Sequence, residues 1–389
     1  MQILELNDWQ VTLWRDEQPR VEPAAASVVD GKLVFGDAAL AHSRTAPQLF
    51  NYRYLATIAS DPLPTAIGAA RNLADLLYHH LRHLELDDQP CLLSVPGHFN
   101  NDQLGLLYGI CNEASVNVRS FVDLPLAHSL HAPATGEFQV LDIEWHRFAL
   151  STISSTSTPD GVRREVIRTQ NVEHIGGVAN LIEKWMNVIA DDFVRKTRFD
   201  PLHAGASEQA VFDQVHGWFG GALADQRISI EANNTLREHD IGKNLLTERL
   251  AGQLSQLEFD PQLPVLPTAR CQQVPGLTEF LSTQSITLLP TDEVDLYRSY
   301  QQIVQQLDND GVVRISSATS PLVAGAKAIT PTGPSMTGSR ATHLLRADHS
   351  ALALDDPRVA DLPPCDAGEQ VTLDGIQYTA IRVIGHGDS

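Results

Sequence analysis

The chain has 389 residues, enough for two or three domains and a sizeable core. Its formal net charge of −20 argues against a surface built for nucleic-acid backbones or anionic membranes. No apolar run reaches the ~18 residues of a membrane span, and Met1-Gln2-Ile3-Leu4-Glu5 lacks the basic and apolar regions of a signal peptide. Cys91, Cys111, Cys271 and Cys365 are scattered without metal-ligand spacing, which points to free thiols in a reducing cytosol.

In chain order, Leu4 to Leu13 predicts a strand, a tight turn and a returning strand. Asp30-Gly31 predicts a hairpin turn between Ser27-Val28-Val29 and Lys32-Leu33-Val34-Phe35. Pro64 to Leu86 predicts one long amphipathic helix with Leu73, Leu76, Leu77, Leu81 and Leu84 on one face. Cys91 to Val95 is a short apolar strand, Asn101 to Ala114 a helix capped by Asn100 or Asn101, Val118 to Val122 a strand and Leu124 to His131 a helix. The second half repeats this order. A hairpin opens at Val140, a strand covers Arg164 to Arg168, and Gly176-Gly177 leads into a helix from Val178 to Lys196. Arg227 to Glu231 and Leu236 to Ile241 pair around Asn233-Asn234. Helices follow at Leu245 to Leu257 and Leu277 to Leu281, then a strand at Ile286 to Leu289. Ser316 to Arg340 is rich in Ser, Thr, Gly and Pro and predicts linker or loops. Beyond it, Thr342 to Leu354 and Gln370 to Ile384 alternate like strands, with Asp374-Gly375 as a turn.

Two stretches are near-copies. Leu4-Glu5-Leu6-Asn7-Asp8-Trp9-Gln10-Val11 and Leu141-Asp142-Ile143-Glu144-Trp145-His146-Arg147-Phe148 each run apolar residue, carboxylate, apolar residue, then a polar turn containing Trp. One such hairpin opens each half, as in a duplicated α/β fold.

The order of motifs resembles the ATPase domain shared by the 70-kDa heat-shock chaperones, actin and the sugar kinases, and is most similar to the heat-shock group. Gly36-Asp37-Ala38-Ala39 resembles that group's Val-Gly-Asp-Ala-Ala. Leu93 to Gln103 is similar to its Thr-Val-Pro-Ala-Tyr-Phe-Asn-Asp-Ser-Gln, and His174-Ile175-Gly176-Gly177 to its His-Leu-Gly-Gly. Val274-Pro275-Gly276-Leu277 resembles the Ile-Pro-Lys-Val after its adenosine-loop glycines. The resemblance implies a duplicated actin-like fold of the ribonuclease H-like type, with lobes at 1–130 and 131–305. Residues 306–389 fall outside it as a linker and small β-rich appendage, and do not resemble the chaperones' peptide-binding domain.

The departures fall where the resemblance places chemistry. The family's Asp-Leu-Gly-Thr-Thr, which holds the metal-water shell and wraps phosphate, corresponds to Glu5, Leu6, Asn7, Asp8 and Trp9. Its second loop, Asp-Leu-Gly-Gly-Gly-Thr-Phe-Asp, becomes Asp142 to Ala149 with Glu144, Trp145 and His146 in place of the glycines. The catalytic Lys matches Arg53, the Asn-Glu-Pro hinge becomes Asp123-Leu124-Pro125, and the adenosine-loop glycines fall on Ala269 and Arg270. A phosphate loop needs backbone N–H groups that approach anions closely, which glycine permits and Trp or His blocks. Glu144 adds a like charge, and two like charges about 4 Å apart cost up to roughly 4 kcal/mol at an effective dielectric near 20.

The expectation is a cytoplasmic, heat-shock-70-like pseudo-ATPase that binds protein partners, with no nucleic acid, membrane or cofactor. The vestigial cleft would comprise Asn7, Asp8, Trp9, Glu144, Trp145, His146, Gly176, Gly177, Ala269 and Arg270, closed by Trp9, Trp145 and Arg270. The rival is a slow ATPase binding ATP and Mg, in which Glu5 and Asp142 order metal-bound water and Arg53 steadies the γ-phosphate. A sugar kinase would need a catalytic Asp that the sequence does not identify. Without the resemblance, Glu5 and Asp142 read as surface carboxylates. Asp75, His79, His83 and Asp87 recur at four-residue spacing; this could bind a transition metal, but fits a solvated helix face better. His80 reads as surface, Cys91 and Cys271 as core thiols. The Gly242-Lys243-Asn244 stretch is no Walker loop, and Gly333 to Gly338 is no nucleophile elbow.

Overall fold

The computed structural model describes residues 1–86, 88–134, 136–232, 235–291, 295–307 and 311–321, together with 343–346, 351–353, 370–373 and 376–381. Residues 1–330 form one unit and 331–389 another. The first unit is mixed α/β.

It opens with an antiparallel meander of β1 (Gln2–Leu6), β2 (Gln10–Trp14) and β3 (Pro19–Pro23). The hairpin of β4 (Ala26–Val29) and β5 (Lys32–Phe35) turns at Asp30 and Gly31, whose φ values of 49° and 75° are both positive, as a tight type I′ turn requires. Helix α1 (Asp37–Leu40) follows.

The helix predicted over residues 64–86 is divided in the structure. Its first part forms a small hairpin of β6 (Pro62–Ile67) and β7 (Ala70–Asn72), and only α2 (Leu73–His83) is helical. Gly68 turns the chain at φ 61°, and Asn72 caps α2 by accepting the Asp75 N–H at 2.7 Å. Local turn and cap chemistry thus override the apolar periodicity. His80, expected at the surface, is instead buried: it bonds Glu22 at 2.6 Å and Tyr54 at 2.8 Å and stacks on Phe35.

Strands β8 (Cys91–Val95) and β9 (Val118–Asp123) extend the sheet in parallel beside β1, joined by α3 (Asn101–Glu113). Asn100 and Gln103 form a capping box at the start of α3. Every residue of β1 and β8 is buried, as strands covered on both faces must be. Helix α4 (Leu124–Ser129) ends this half.

The second half repeats the meander with β10 (Gly136–Ile143), β11 (Phe148–Thr158) and β12 (Gly161–Val172). Helix α5 (Val178–Thr197) buries Leu181, Ile182, Trp185, Met186, Ile189 and Phe193 along one face and ends where Arg198 adopts φ 61°. Helix α6 (Gly205–His216), unforeseen in the sequence, packs against it. Strands β13 (Gln226–Ala232) and β14 (Thr235–Ile241) pair as predicted; Asn233 and Asn234 lie outside the described residues. After α7 (Lys243–Leu254), β15 (Val265–Pro267) pairs in parallel with β10. Helices α8 (Ala269–Gln273), α9 (Leu277–Ser282) and α10 (Leu296–Gln305) follow. The predicted strand at Ile286 to Leu289 reduces to a single bridge between Leu288 and Val265.

The segment predicted as linker begins instead with sheet structure. β16 (Arg314–Ile315) lies parallel to β9, and β17 (Ser317–Ser320) lies antiparallel to β12, so one short stretch supplies an edge to each sheet. The first sheet runs β16-β9-β8-β1-β2-β3 and the second β15-β10-β11-β12-β17. Both contain one arrangement: a parallel strand beside the first strand of an antiparallel meander, β8-β1-β2-β3 in one and β15-β10-β11-β12 in the other.

In the second unit, β18 (His343–Arg346), β19 (Ala351–Ala353), β20 (Gln370–Leu373) and β21 (Ile376–Ile381) form a sheet ordered β19-β18-β21-β20. The β20–β21 register matches the expected hairpin, whose turn residues Asp374 and Gly375 lie outside the described residues, as do Cys365 and the predicted loop at 322–342.

Candidate functional site at the paired hairpins

The two near-copy stretches fold alike and meet. Asn7 N–H bonds the Gln10 carbonyl at 3.2 Å, and Glu144 N–H bonds the Arg147 carbonyl at 3.0 Å, closing equivalent turns. None of the turn residues from Asn7 to Gln10 or from Glu144 to Arg147 has positive φ, so these turns need no glycine.

The turns are fastened to each other. Asn7 Nδ2 donates to Asp142 Oδ2 at 3.0 Å and to the Ile143 carbonyl at 3.3 Å. Asp8 accepts the Trp145 N–H at 2.5 Å and bonds His146 Nδ1 at 2.7 Å. Trp9 and Trp145, each 2 % exposed, meet edge to face with centroids 6.2 Å apart, and Tyr52 stacks on His146 at 4.9 Å. Glycines would leave space here; these side chains fill it.

Behind the turns lies a buried ionic centre. Glu5 and Asp142 occupy equivalent positions of β1 and β10 and are 0 % and 5 % exposed, not the surface carboxylates that the bare sequence allows. Arg270, at the start of α8, lies between them. Its Nε donates to Asp142 Oδ1 at 3.0 Å and its Nη2 to Oδ2 at 2.9 Å, while Nη1 pairs with Glu5. Thr268 Oγ1 donates to Asp142 at 2.6 Å; Tyr300 OH donates to Glu5 Oε2 at 2.6 Å and stands 2.8 Å from Ser94 Oγ, whose hydroxyl it can accept. Burial alone would raise the Glu5 pKa, but Arg270, then His128 and Tyr300, hold it well below the ordinary value. Burial likewise opposes the Arg270 charge, and Asp142 and Glu5 outweigh it, pushing its pKa up.

Glu144 is set apart from this centre. Burial, reinforced by Asp8, raises its carboxyl well above the ordinary range, and the Arg147 ion pair at 3.1 Å offsets only part of that. Arg147 also donates to Glu173 at 2.7 Å and to the Ala56 carbonyl at 2.9 Å. His98 stands 3.8 Å from Glu144, and burial lowers its pKa to about 3.

The start of α5 is the natural anion site of this region, because the first N–H groups of a helix have no partner within it. Here the second turn occupies it: Val178 N–H bonds the Glu144 carbonyl at 2.9 Å and Ala179 N–H the Trp145 carbonyl at 3.0 Å. Gly177 permits this contact, since a Cβ there would stand 2.1 Å from the Glu144 carbonyl oxygen. Gly176, at φ 70°, makes the bend before it.

A cavity of about 690 Å³ borders Glu5, Arg270, His128, Trp14 and Tyr297. It touches none of Asn7, Asp8, Trp9, Glu144, Trp145 or His146, so a phosphate in it would not meet the turns.

Of the predicted residues, the structure therefore joins Glu5, Asn7, Asp8, Trp9, Asp142, Glu144, Trp145, His146, Gly177 and Arg270. It leaves Arg53 exposed and, among the described residues, in no ion pair with Glu5 or Asp142. Ala269 is exposed at the start of α8. Asp75 accepts the Arg71 N–H, His79 packs beside Tyr78, His83 lies 3.7 Å from Glu22, and Asp87 lies outside the described residues. Among the described residues no group of three or more His, Cys, Asp or Glu is placed to hold a metal, and no helix is long and apolar enough to cross a membrane. Cys91, Cys111 and Cys271 are buried free thiols, with Cys91 and Cys271 pushed up to about 12 by burial. Thr268, Tyr300, Ser94 and His98 join the site without any sequence signal beyond their own type.

No protein-family model matches this chain, and no curated protein is significantly similar to it.

Proposed function

We propose that this chain is a heat-shock-70-like pseudo-ATPase of the actin-like superfamily, with its duplicated two-lobed fold kept and its nucleotide cleft turned into a structural joint. It acts in the cytoplasm as a protein-binding scaffold or regulator. The arrangement common to both sheets supports the fold, since each places one carboxylate-bearing hairpin at the same point.

The observation that carries the functional part is Arg270 between Glu5 and Asp142. In the family these positions serve the shell of a divalent cation. Here a guanidinium supplies the positive charge, fixed covalently to the fold. A magnesium ion would have to displace it, and a triphosphate would have to displace the Glu144 and Trp145 carbonyls from α5. The residues present do not fit a magnesium–nucleotide complex. The slow-ATPase alternative loses support for the same reason, because its two carboxylates are already paired and Arg53 is not with them.

Partner binding is assigned to the tail from about Ala341, whose edge strands β19 and β20 offer backbone groups for strand addition. The test combines turnover and capture. The purified chain should release no phosphate from Mg-ATP, and a cytosolic partner retained by the full chain should be lost on deleting residues 331–389. Phosphate release abolished by Asp142→Asn, or capture unchanged by the deletion, would refute the corresponding half.

A further inference from the structure

The cavity of about 690 Å³ that borders Glu5 and Arg270 is built on one face of the opening sheet. Strand register sets Glu5 beside Thr12 and Thr12 beside Val21, with Trp14 beside Pro19. All five line the cavity, so β1, β2 and β3 turn one face toward it. Gln10, two residues before Thr12, shares that face. The facing wall is helical: Tyr297 and Gln301 stand one turn apart on α10, and Arg270 and Gln273 one turn apart on α8. An apolar cavity of about 150 Å³ accepts one benzene, so this one has room for a few linked rings.

One side of the cavity is flat and apolar. Trp14 of the sheet and Tyr297 of α10 are half-buried and stacked, with centroids 5.7 Å apart and planes inclined by 19°. Much of the rest is neutral and polar. Gln10 Nε2 donates to Gln273 Oε1 at 2.7 Å, joining sheet to helix. That bond leaves Gln10 its amide oxygen as an acceptor and Gln273 its NH2 as a donor. Both groups are open to solvent and, among the described residues, make no other hydrogen bond. Gln301 adds a third amide and Thr12 a hydroxyl.

Charge and solvation narrow the class. The lining sets Glu5, Glu17 and Asp295 against Arg270 and Arg298, so it nearly balances without a ligand charge. Glu5 and Arg270 already pair with each other, and Asp295 caps α10 by accepting the Arg298 N–H at 2.9 Å. A wholly apolar ligand would take the amides out of water without giving them partners. The complement is a neutral molecule with an apolar face and with groups that both donate and accept. A sugar ring meets both conditions, because its C–H face packs on an aromatic ring and each hydroxyl can donate and accept at once.

We infer that this cavity binds a neutral saccharide of two or three rings, with C–H faces against Trp14 and Tyr297 and hydroxyls on Gln10, Thr12, Gln273 and Gln301. Its size is within the usual range of small-molecule sites. The turns at Asn7 and Glu144 do not border it, so saccharide binding requires neither the presence nor the loss of a nucleotide site.

The intact chain is titrated by calorimetry with cellobiose, maltose and lactose. Lactobionate, toluene and a capped diglycine serve as the anionic, apolar and backbone-amide controls. One of the disaccharides should bind saturably, about tenfold or more tighter than any control. Gln273→Leu, which keeps the bulk and deletes the amide, should weaken it about tenfold. Tyr297→Ala should do the same, whereas Tyr297→Phe, which keeps the ring, should bind within about twofold of the unaltered chain. Gln273 and Tyr297 lie on different helices, so a variant that does not fold leaves the other, and the panel on the unaltered chain, to decide. No saturable binding of any of the three disaccharides, equal or tighter binding of a control, or undiminished affinity in Gln273→Leu and Tyr297→Ala would overturn the proposal.

Discussion

Arg270 grips Asp142 by both carboxylate oxygens, at 3.0 and 2.9 Å, and through its remaining nitrogen ties that residue to Glu5 on the other sheet. A buried ion pair of this kind is a weak source of net stability when intact but a large loss when one partner is removed. Replacing Arg270 by Ala leaves two buried carboxylates facing each other and should cost about 3–5 kcal/mol in urea unfolding. Combining Arg270→Met with Glu5→Gln and Asp142→Asn should recover much of that. A triple variant no more stable than Arg270→Met alone would show that charge is not what the centre balances.

Gly177 has no room for a side chain. A Cβ would stand 2.1 Å from the Glu144 carbonyl and 2.7 Å from the Arg147 nitrogen, both backbone atoms. Gly177→Ala should therefore push the second hairpin away from α5 and destabilise by at least about 1–3 kcal/mol. Gly252, with open space around it, should accept Ala in α7 with a small gain. Equal stability of the two variants, by thermal unfolding, would contradict the contact.

The two buried glutamates should show opposite pH behaviour. Glu5 has a depressed pKa, so its contribution to stability is present above the ordinary value of 4.5 and is lost as pH falls through the folded value. Glu144 has a raised pKa, so its contribution is present below 4.5 and is lost as pH rises through the folded value. Glu144→Gln should thus stabilise at pH 8 and do little at pH 4. Glu5→Gln should destabilise at pH 8, leaving Arg270 half-paired. Unfolding curves at both pH values check the signs.

His98 and His80 are both buried and lowered, burial being the main cause. For His98, folded at about 3 against an ordinary 6.5, stability is present above 6.5 and drains away as pH falls toward 3. His98→Phe should flatten that acid limb. His80 also bridges Glu22 and Tyr54, so His80→Leu should cost about 1–3 kcal/mol per partner left unpaired. A variant as stable as the parent would mean that water replaces the bridge.

Much of the fold was legible because it is written locally. The paired hairpins, the Asp30-Gly31 turn, the Asn100 cap and the Gly176-Gly177 entry to α5 each follow from a few adjacent residues. The errors came where neighbours compete. Leucine spacing across residues 64–86 looked helical, but Gly68 and Asn72 punctuate it. Ser317–Ser320 looked like loop, because small polar residues become strand only when β12 is there to pair with them. The site divides the same way. The bulky and acidic residues of the two turns were visible in sequence. The charge balance was not, because Arg270 lies 265 residues from Glu5, and nothing near it in sequence marks its partners. Tyr300, 295 residues from Glu5, is equally silent until the chain closes.

The central claim is that Arg270 stands in for a metal-bound nucleotide between the lobes. It is tested most directly by calorimetric titration of the intact chain with Mg-ATP, beside Asp142→Asn. The account predicts no saturable heat for either. Saturable micromolar binding to the unaltered chain, abolished in Asp142→Asn, would contradict it.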